Sequence, residues 1–251
     1  MSDGVKILLL DIETQPAIAY IWSLFDTFVP TDRIVEPGRT LCWAAKWLDK
    51  DKVTFRSVHH HGREKMIEDM YNLLEEADVV IHYNGKRFDM PTLNREFLLE
   101  GYTPPTTYKE VDLLQVVRKK FRFPSNKLDY VSQELGIGAK VVHKGMDLWK
   151  GCMAGVAKDW KVMKKYNIQD VSLLELLYRR LLPWIDNHPN RALWMKDVDK
   201  PTCRNCGGTH VQKRGMEVTK VLKYQRYKCV DCGANMRGRV RLEKPADGVL
   251  S

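Results

Sequence analysis

The apolar run Val5-Lys6-Ile7-Leu8-Leu9-Leu10 ends in two acids, Asp11 and Glu13, and no other stretch of the 251 residues constrains the fold as strongly. A run of this length reads as a buried strand. Residues i and i+2 of a strand share a face, so both carboxylates project to the same side. A second apolar run, Val79-Val80-Ile81, leads through the turn-like Asn84-Gly85 to Asp89. Tyr166 and Asp170 stand i, i+4 on a predicted helix and therefore share a face. Four acids aimed at one point repel each other unless cations sit between them. Two divalent ions, Mg²⁺ or Mn²⁺, answer that requirement with oxygen ligands, and their characteristic chemistry is phosphodiester hydrolysis.

Late in the chain two C-x-x-C pairs, Cys203/Cys206 and Cys229/Cys232, flank Val211–Tyr227, which is rich in β-branched and aromatic residues. Two knuckles joined by a hairpin describe a zinc ribbon holding one structural Zn²⁺. A module of about 40 residues buries too little core to fold without such a metal. Of the other cysteines, Cys42 reads as a small core side chain, and Cys152 is assigned no role.

The formal net charge is +9, and residues 200–251 hold twelve Lys and Arg against four acids, so eight of the nine net charges lie there. These cations alternate with aromatic residues, as in Tyr224, Arg226 and Tyr227. Such interleaving suits single-stranded nucleic acid, through phosphate pairing and base stacking, with a merely solubilising basic surface as the alternative. No apolar stretch approaches a membrane span, and the N-terminus lacks the pattern of a secretion signal. The expectation is a cytoplasmic monomer without membrane contact.

Periodicity places strands at Thr40–Leu48 and Lys52–Val58, joined by the polar turn Asp49-Lys50-Asp51, and a third at Val79–Ile81. Helices are predicted over Glu64–Glu76, Pro91–Leu99, 111–121, 126–135 (with Ser125 or Asn126 as N-cap) and Lys158–Trp184. Asp112 suits the N-cap of the helix that follows it, and Asp129 a structural or groove-lining role. Thr14–Pro37 has no clear period and reads as a loop or short helix over the rim of the site. His59-His60-His61 sits at a strand end, where adjacent side chains diverge too far to share an ion. Lys127 and Lys140 are candidate phosphate contacts, with solvated surface lysines as the plain alternative. Four segments follow: a nuclease-like domain over 1–187, a linker over 188–200, the zinc ribbon over 201–244 and a tail over 245–251.

Three motifs stand in order: Asp11-Ile12-Glu13-Thr14, Asn84-Gly85-Lys86-Arg87-Phe88-Asp89 and Tyr166-Asn167-Ile168-Gln169-Asp170. Over roughly residues 5 to 185 the chain resembles the DEDD 3′–5′ exonucleases, in the tyrosine subgroup that includes the proofreading domains of family-B DNA polymerases. The segment Lys127-Leu128-Asp129-Tyr130-Val131 with Glu134-Leu135-Gly136 is similar as well. The resemblance implies an α/β fold, a ribonuclease H-like mixed sheet flanked by helices. It implies that Asp11 bridges two ions, that Glu13 and Asp170 hold the water-activating one, and that Asp89 supports the second. It gives Tyr166 the orientation of the attacking water, and Asn84 and Phe88 the shaping of the substrate groove. DNA is favoured over RNA, and a polymerase or recombination partner is compatible with a chain that has no polymerase region of its own. The rival readings are an RNA-trimming exonuclease, a structure-specific endonuclease and a non-catalytic nucleic-acid-binding protein.

Overall fold

The computed structural model describes residues 4–25, 28–196 and 198–243; Lys244 and the expected tail 245–251 lie outside the described residues. The chain divides into two compact units, one spanning Lys6–Leu177 and one that takes in the residues from Tyr178 onward.

The first unit is built on a five-stranded mixed sheet. In chain order its elements are β1 (Ile7–Thr14), a two-stranded ribbon of β2 (Ile18–Ala19) and β3 (Ile34–Glu36), β4 (Thr40–Trp47), β5 (Val53–Ser57), α1 (Val58–His61), α2 (Arg63–Glu76), β6 (Val79–His82), α3 (Asp89–Leu99), β7 (Lys109–Asp112), α4 (Leu113–Lys120), α5 (Leu128–Glu134), α6 (Met146–Met153) and α7 (Ala157–Leu181). The sheet order is β5-β4-β1-β6-β7. β1 pairs antiparallel with β4 and parallel with β6, so the apolar run that opens the chain becomes the central strand.

Side-chain alternation along β1 sorts the two faces. Leu8, Leu10 and Ile12 pack with Trp43 and Val80 against Met66, Ile67 and Met70 of α2 and Leu93 and Phe97 of α3. Each such buried side chain contributes about 1.5–3 kcal/mol. The Trp43 indole N–H donates to the Met66 carbonyl at 2.8 Å, so the largest side chain of this core leaves no polar atom unpaired. The opposite parity turns Leu9, Asp11 and Glu13 toward α7, whose Glu175 pairs with Lys46, the residue directly across from Leu9.

Several expectations are corrected here. Residues 111–112 end the strand β7 rather than begin a helix, because pairing with β6 claims them; Asp112 then caps α4 by accepting from the Leu114 amide. α5 starts at Leu128 with Lys127 at its N-cap, not Ser125 or Asn126. Among the described residues of 14–37, a loop with a 3₁₀ turn at Thr31–Arg33 matches the expectation, to which the structure adds the short pairing of Ile18–Ala19 with Ile34–Glu36, and His59–His61 belong to a short helix capped by Ser57. α6 had no counterpart in the pattern, since it contains Gly151, where a Cβ would lie 1.8 Å from an Asp159 carboxylate oxygen. α7 ends at Leu181, and Pro183 falls in a 3₁₀ turn over Leu182–Trp184.

The second unit carries β8 (Val211–Val218), β9 (Lys223–Cys229) and β10 (Asn235–Arg241) as a three-stranded antiparallel sheet, one strand more than the expected hairpin. Residues 188–200 include the buried His188, which meets the Tyr178 hydroxyl at 2.8 Å, and a 3₁₀ turn over Arg191–Trp194. Buried Asn205 donates to the carbonyls of Leu182 at 2.7 Å and Ile185 at 3.3 Å, fastening the first cysteine knuckle to the chain that leaves α7. No helix of the described residues is long and apolar enough to cross a membrane.

Candidate active site

Asp11 and Glu13 arrive from β1 and Asp170 from α7, and oxygens of all three lie within 4.8 Å of one another. Burial raises the pKa of all three: Asp11, with repulsion from Glu13, Asp89 and Asp170 added, stands well above the ordinary carboxylate range; Glu13, with repulsion from Asp170 added, is pushed up to about 8; and Asp170 is raised against the lowering pull of Lys140. One oxygen of Asp170 is buried without a hydrogen-bond partner. A cluster of oxygen ligands that repel each other, one with an orphaned lone pair, fits a hard divalent cation.

Asp89 opens α3 at the edge of this group, outside the three-acid cluster. Its carboxylate accepts from the Ile12 amide at 3.1 Å, which ties the start of α3 to the strand between Asp11 and Glu13. Burial lifts it to about 6, against the lowering effect of that hydrogen bond and of His82. The loop before it depends on a close approach: Gly85 donates to His82 Nδ1 at 3.1 Å, and a Cβ at that position would sit 2.4 Å from the imidazole. Asn84 adopts φ 68° and donates its amide to Asp112 at 2.9 Å.

Two further residues enter the site: Asn167, present in the sequence reading only as a position inside the third motif, and Lys140, marked there as a candidate phosphate contact. Asn167 donates its side-chain amide to Asp11 Oδ2 at 2.7 Å and to the Asp11 carbonyl at 3.2 Å. Lys140 is half-buried, not a solvated surface lysine: its ammonium pairs with Asp170 and lies 3.2 Å from the Tyr166 hydroxyl. Burial opposes the Lys140 charge, yet Asp170, Tyr166 and Asp11 together raise its pKa. Its main chain is held by Asp129, which accepts from the Lys140 amide at 2.8 Å. Tyr166 itself is buried beside His143 and Trp149, with ring centroids at 4.9 and 6.1 Å. Only the third-motif position of Asn167 offered a sequence signal; Lys140 lies in a stretch without helix or strand.

A groove of about 540 Å³ opens beside Asp11 and is lined by Asn84, Arg118, Lys127, Asp129 and Lys140 among others. Phe88 is absent from its lining and is 44% exposed at the N-cap of α3. Tyr224, Arg226 and Tyr227 lie on β9, in the other unit. There Arg237 stacks over the Tyr224 ring at 4.4 Å.

The four late cysteines converge within 4.8 Å, with Cys203–Cys232 and Cys206–Cys229 sulfurs 3.6 Å apart. Tetrahedral Zn²⁺ at about 2.3 Å from each sulfur requires separations of about 3.8 Å, so the donor set fits that ion. Gly207 and Gly233 follow the second cysteine of each pair with φ of 79° and 81°, the left-handed turn that folds each knuckle back on its own sulfurs. The donor set and its knuckles fit a zinc ribbon.

No curated protein matches the sequence. Among solved structures, the chain is similar to the family B DNA polymerase from the hyperthermophilic archaeon Pyrobaculum calidifontis, with a TM-score of 0.54 and 18% identity over 71% of this chain. The match covers 25% of the polymerase, so the chain spans about a quarter of that protein's length, and the likeness is one of fold. The RNase_H superfamily profile matches residues 36–182, a range that includes Asp89, Lys140, Tyr166 and Asp170 and begins after Asp11 and Glu13. With more than half of its residues inside that match, on a mixed sheet that gathers acids at its central strand, the chain belongs to the RNase H superfamily.

Proposed function

We propose that this protein is a metal-dependent 3′–5′ exonuclease that hydrolyses DNA, single strands foremost, and releases nucleoside monophosphates. The observation that carries the reading is the convergence of Asp11, Glu13 and Asp170 within 4.8 Å, against a buried tyrosine and beside an open groove. Two divalent ions bound there would supply an activated water and charge relief at the leaving oxygen. Asp11, Glu13 and Asp170 are the residues to hold them, with Asp89 supporting the second. Asn167 keeps the Asp11 carboxylate in one rotamer. Tyr166 orients the attacking water through its hydroxyl, whose own position is set by Lys140. Lys127 and Arg118 meet the phosphates of a strand lying in the groove, and Asn84 borders its terminal nucleotide.

Two further surfaces support a single-stranded substrate. The ribbon that leaves β1 displays Trp22 and Phe25 at 88% and 92% exposure, faces on which bases can stack. On the zinc ribbon, Tyr224, Arg226 and Tyr227 with Arg237 combine stacking and phosphate pairing.

The test is a time course on 5′-labelled single-stranded DNA with Mg²⁺, Mn²⁺ or no divalent ion, for wild type and Asp11→Ala. A metal-dependent ladder shortening from the 3′ end, absent in the variant, is the expected result. Cleavage of a 3′-blocked strand at an undiminished rate would identify an endonuclease instead. Inertness toward DNA and RNA alike would leave a binding protein.

A further inference from the structure

Across α7 from the acidic cluster lies a second cavity, of about 350 Å³, on the same face of the sheet. Asp11, Ala44 and Phe55 are in register on β1, β4 and β5, so Phe55 at the cavity floor sits two strands, roughly 10 Å, from the first catalytic acid. Lys164 and Ile168 of α7 form the opposite wall. They occupy the flank of the helix that Asn167 and Asp170 leave free.

The lining contains no acid: Lys52, Lys164, His60 and His61 stand around it, together with Arg56. Arg56 is neutralised by Asp69. Among the described residues Lys52 and Lys164 have no carboxylate within ion-pair distance; Lys164 rests over the Phe55 ring at 5.8 Å. The two histidines are held in place. His61 Nδ1 accepts from the Ser57 amide at 3.3 Å, which makes Nε2–H the donor of the neutral ring. His60 Nδ1 meets the Ser57 hydroxyl at 2.7 Å, and His59 stacks on Trp160 of α7 at 5.3 Å, fixing the short helix that carries all three. Burial, then the neighbouring His59, His61 and Lys164, pushes the His60 pKa below its ordinary value.

We propose that this cavity is an anion site for a backbone phosphate of the bound nucleic-acid strand, some nucleotides away from the scissile bond. The phosphate chemistry follows from the lining alone; its assignment to a strand rests on the nuclease reading. An elongated contact of this kind anchors the strand while its end occupies the acidic cluster, and it makes affinity depend on strand length.

Two measurements test it, with Lys52→Glu/Lys164→Glu and the milder Lys52→Gln/Lys164→Gln, whose exposed side chains leave the core untouched. In the first, inorganic phosphate is titrated while the histidine ring resonances are followed by NMR. Shifts at His60 and His61 that vanish in the charge-reversed variant are expected, whether or not the protein cuts anything. In the second, binding of 4- and 20-nucleotide strands is measured in the Asp11→Ala background across a salt series. The charge reversal should weaken the 20-mer about fivefold or more and reduce the salt slope by about 0.7, the share of one phosphate contact on a single strand, with the 4-mer unaffected. Phosphate shifts with an unchanged 20-mer slope would overturn the strand assignment in favour of a free-phosphate site. Absence of both effects would overturn the site itself.

Discussion

Asn167 and Asp11 are 156 residues apart in sequence, yet the Asn167 side-chain amide lies 2.7 Å from Asp11 Oδ2. One helix thus brings both a further acid, Asp170, and the group that fixes the strand's own acid. Replacing Asn167 with Ala should leave the fold intact and slow hydrolysis by about tenfold to a hundredfold, the usual range for a partner that orients a metal ligand. The check is kcat at saturating Mg²⁺; a Mg²⁺ affinity and rate equal to wild type would reduce Asn167 to packing.

Lys140 neutralises part of the acidic cluster and sets Tyr166. Lys140→Met should cut the rate more than tenfold and also lower the melting temperature of the divalent-free protein at pH 8, because Asp170 then loses its cation. Steady-state kinetics and thermal melts of the same variant check both halves. A lysine with no part in the site would change neither.

Burial pushes Glu13 from 4.5 to about 8 and Asp89 from 3.8 to about 6, with repulsion from Asp170 adding to the shift at Glu13. A folded-state pKa above the unfolded one means that the native state holds more protons in between, so stability falls as pH rises through that window. Without added divalent ions, the melting temperature should therefore decline between about pH 4 and pH 8. Asp11→Asn removes one repelling charge, and should abolish cleavage yet raise the melting temperature at pH 8 by about 3 °C or more. Melts at pH 5 and pH 8, with and without Mg²⁺, provide the comparison.

Gly85 has no room for a side chain, since its Cβ would meet the His82 ring. Gly85→Ala should cost about 1–3 kcal/mol through overpacking. It should also displace Asp89, because the Met90 amide is bonded to the Gly85 carbonyl at 2.9 Å. Denaturant unfolding and the cleavage rate report the two effects separately.

Purified protein should contain one zinc per chain, and Cys203→Ser should lose it. Amide protection across β8–β10 should then collapse while that of β1 and β6 persists, since among the described residues Cys203, Cys229 and Ala234 are the only fully buried cluster beside that sheet. Hydrogen exchange read by mass spectrometry resolves the two regions.

Strand parity aimed Asp11 and Glu13 at one face, helical spacing aligned Tyr166 with Asp170, and paired cysteines announced the metal module. Each of these is a local rule, a repeat of 2 or 3.6 residues or a short ligand spacing, and needs no knowledge of the rest of the chain. The same rules failed at β7, where pairing with β6 overrode a helical reading of Val111 and Asp112, and at α6, whose interior glycine hides the period. Nor did they separate Lys140 from a surface lysine or exclude Phe88 from the groove. Those outcomes depend on which strand lies beside which, and on where an irregular segment such as 136–145 folds back. Such contacts are set by long-range packing and by the need of buried acids for a counter-charge. Sequence by itself determined which residues share a face; tertiary structure alone decided which faces meet, because only there do groups more than a hundred residues apart come within hydrogen-bonding distance.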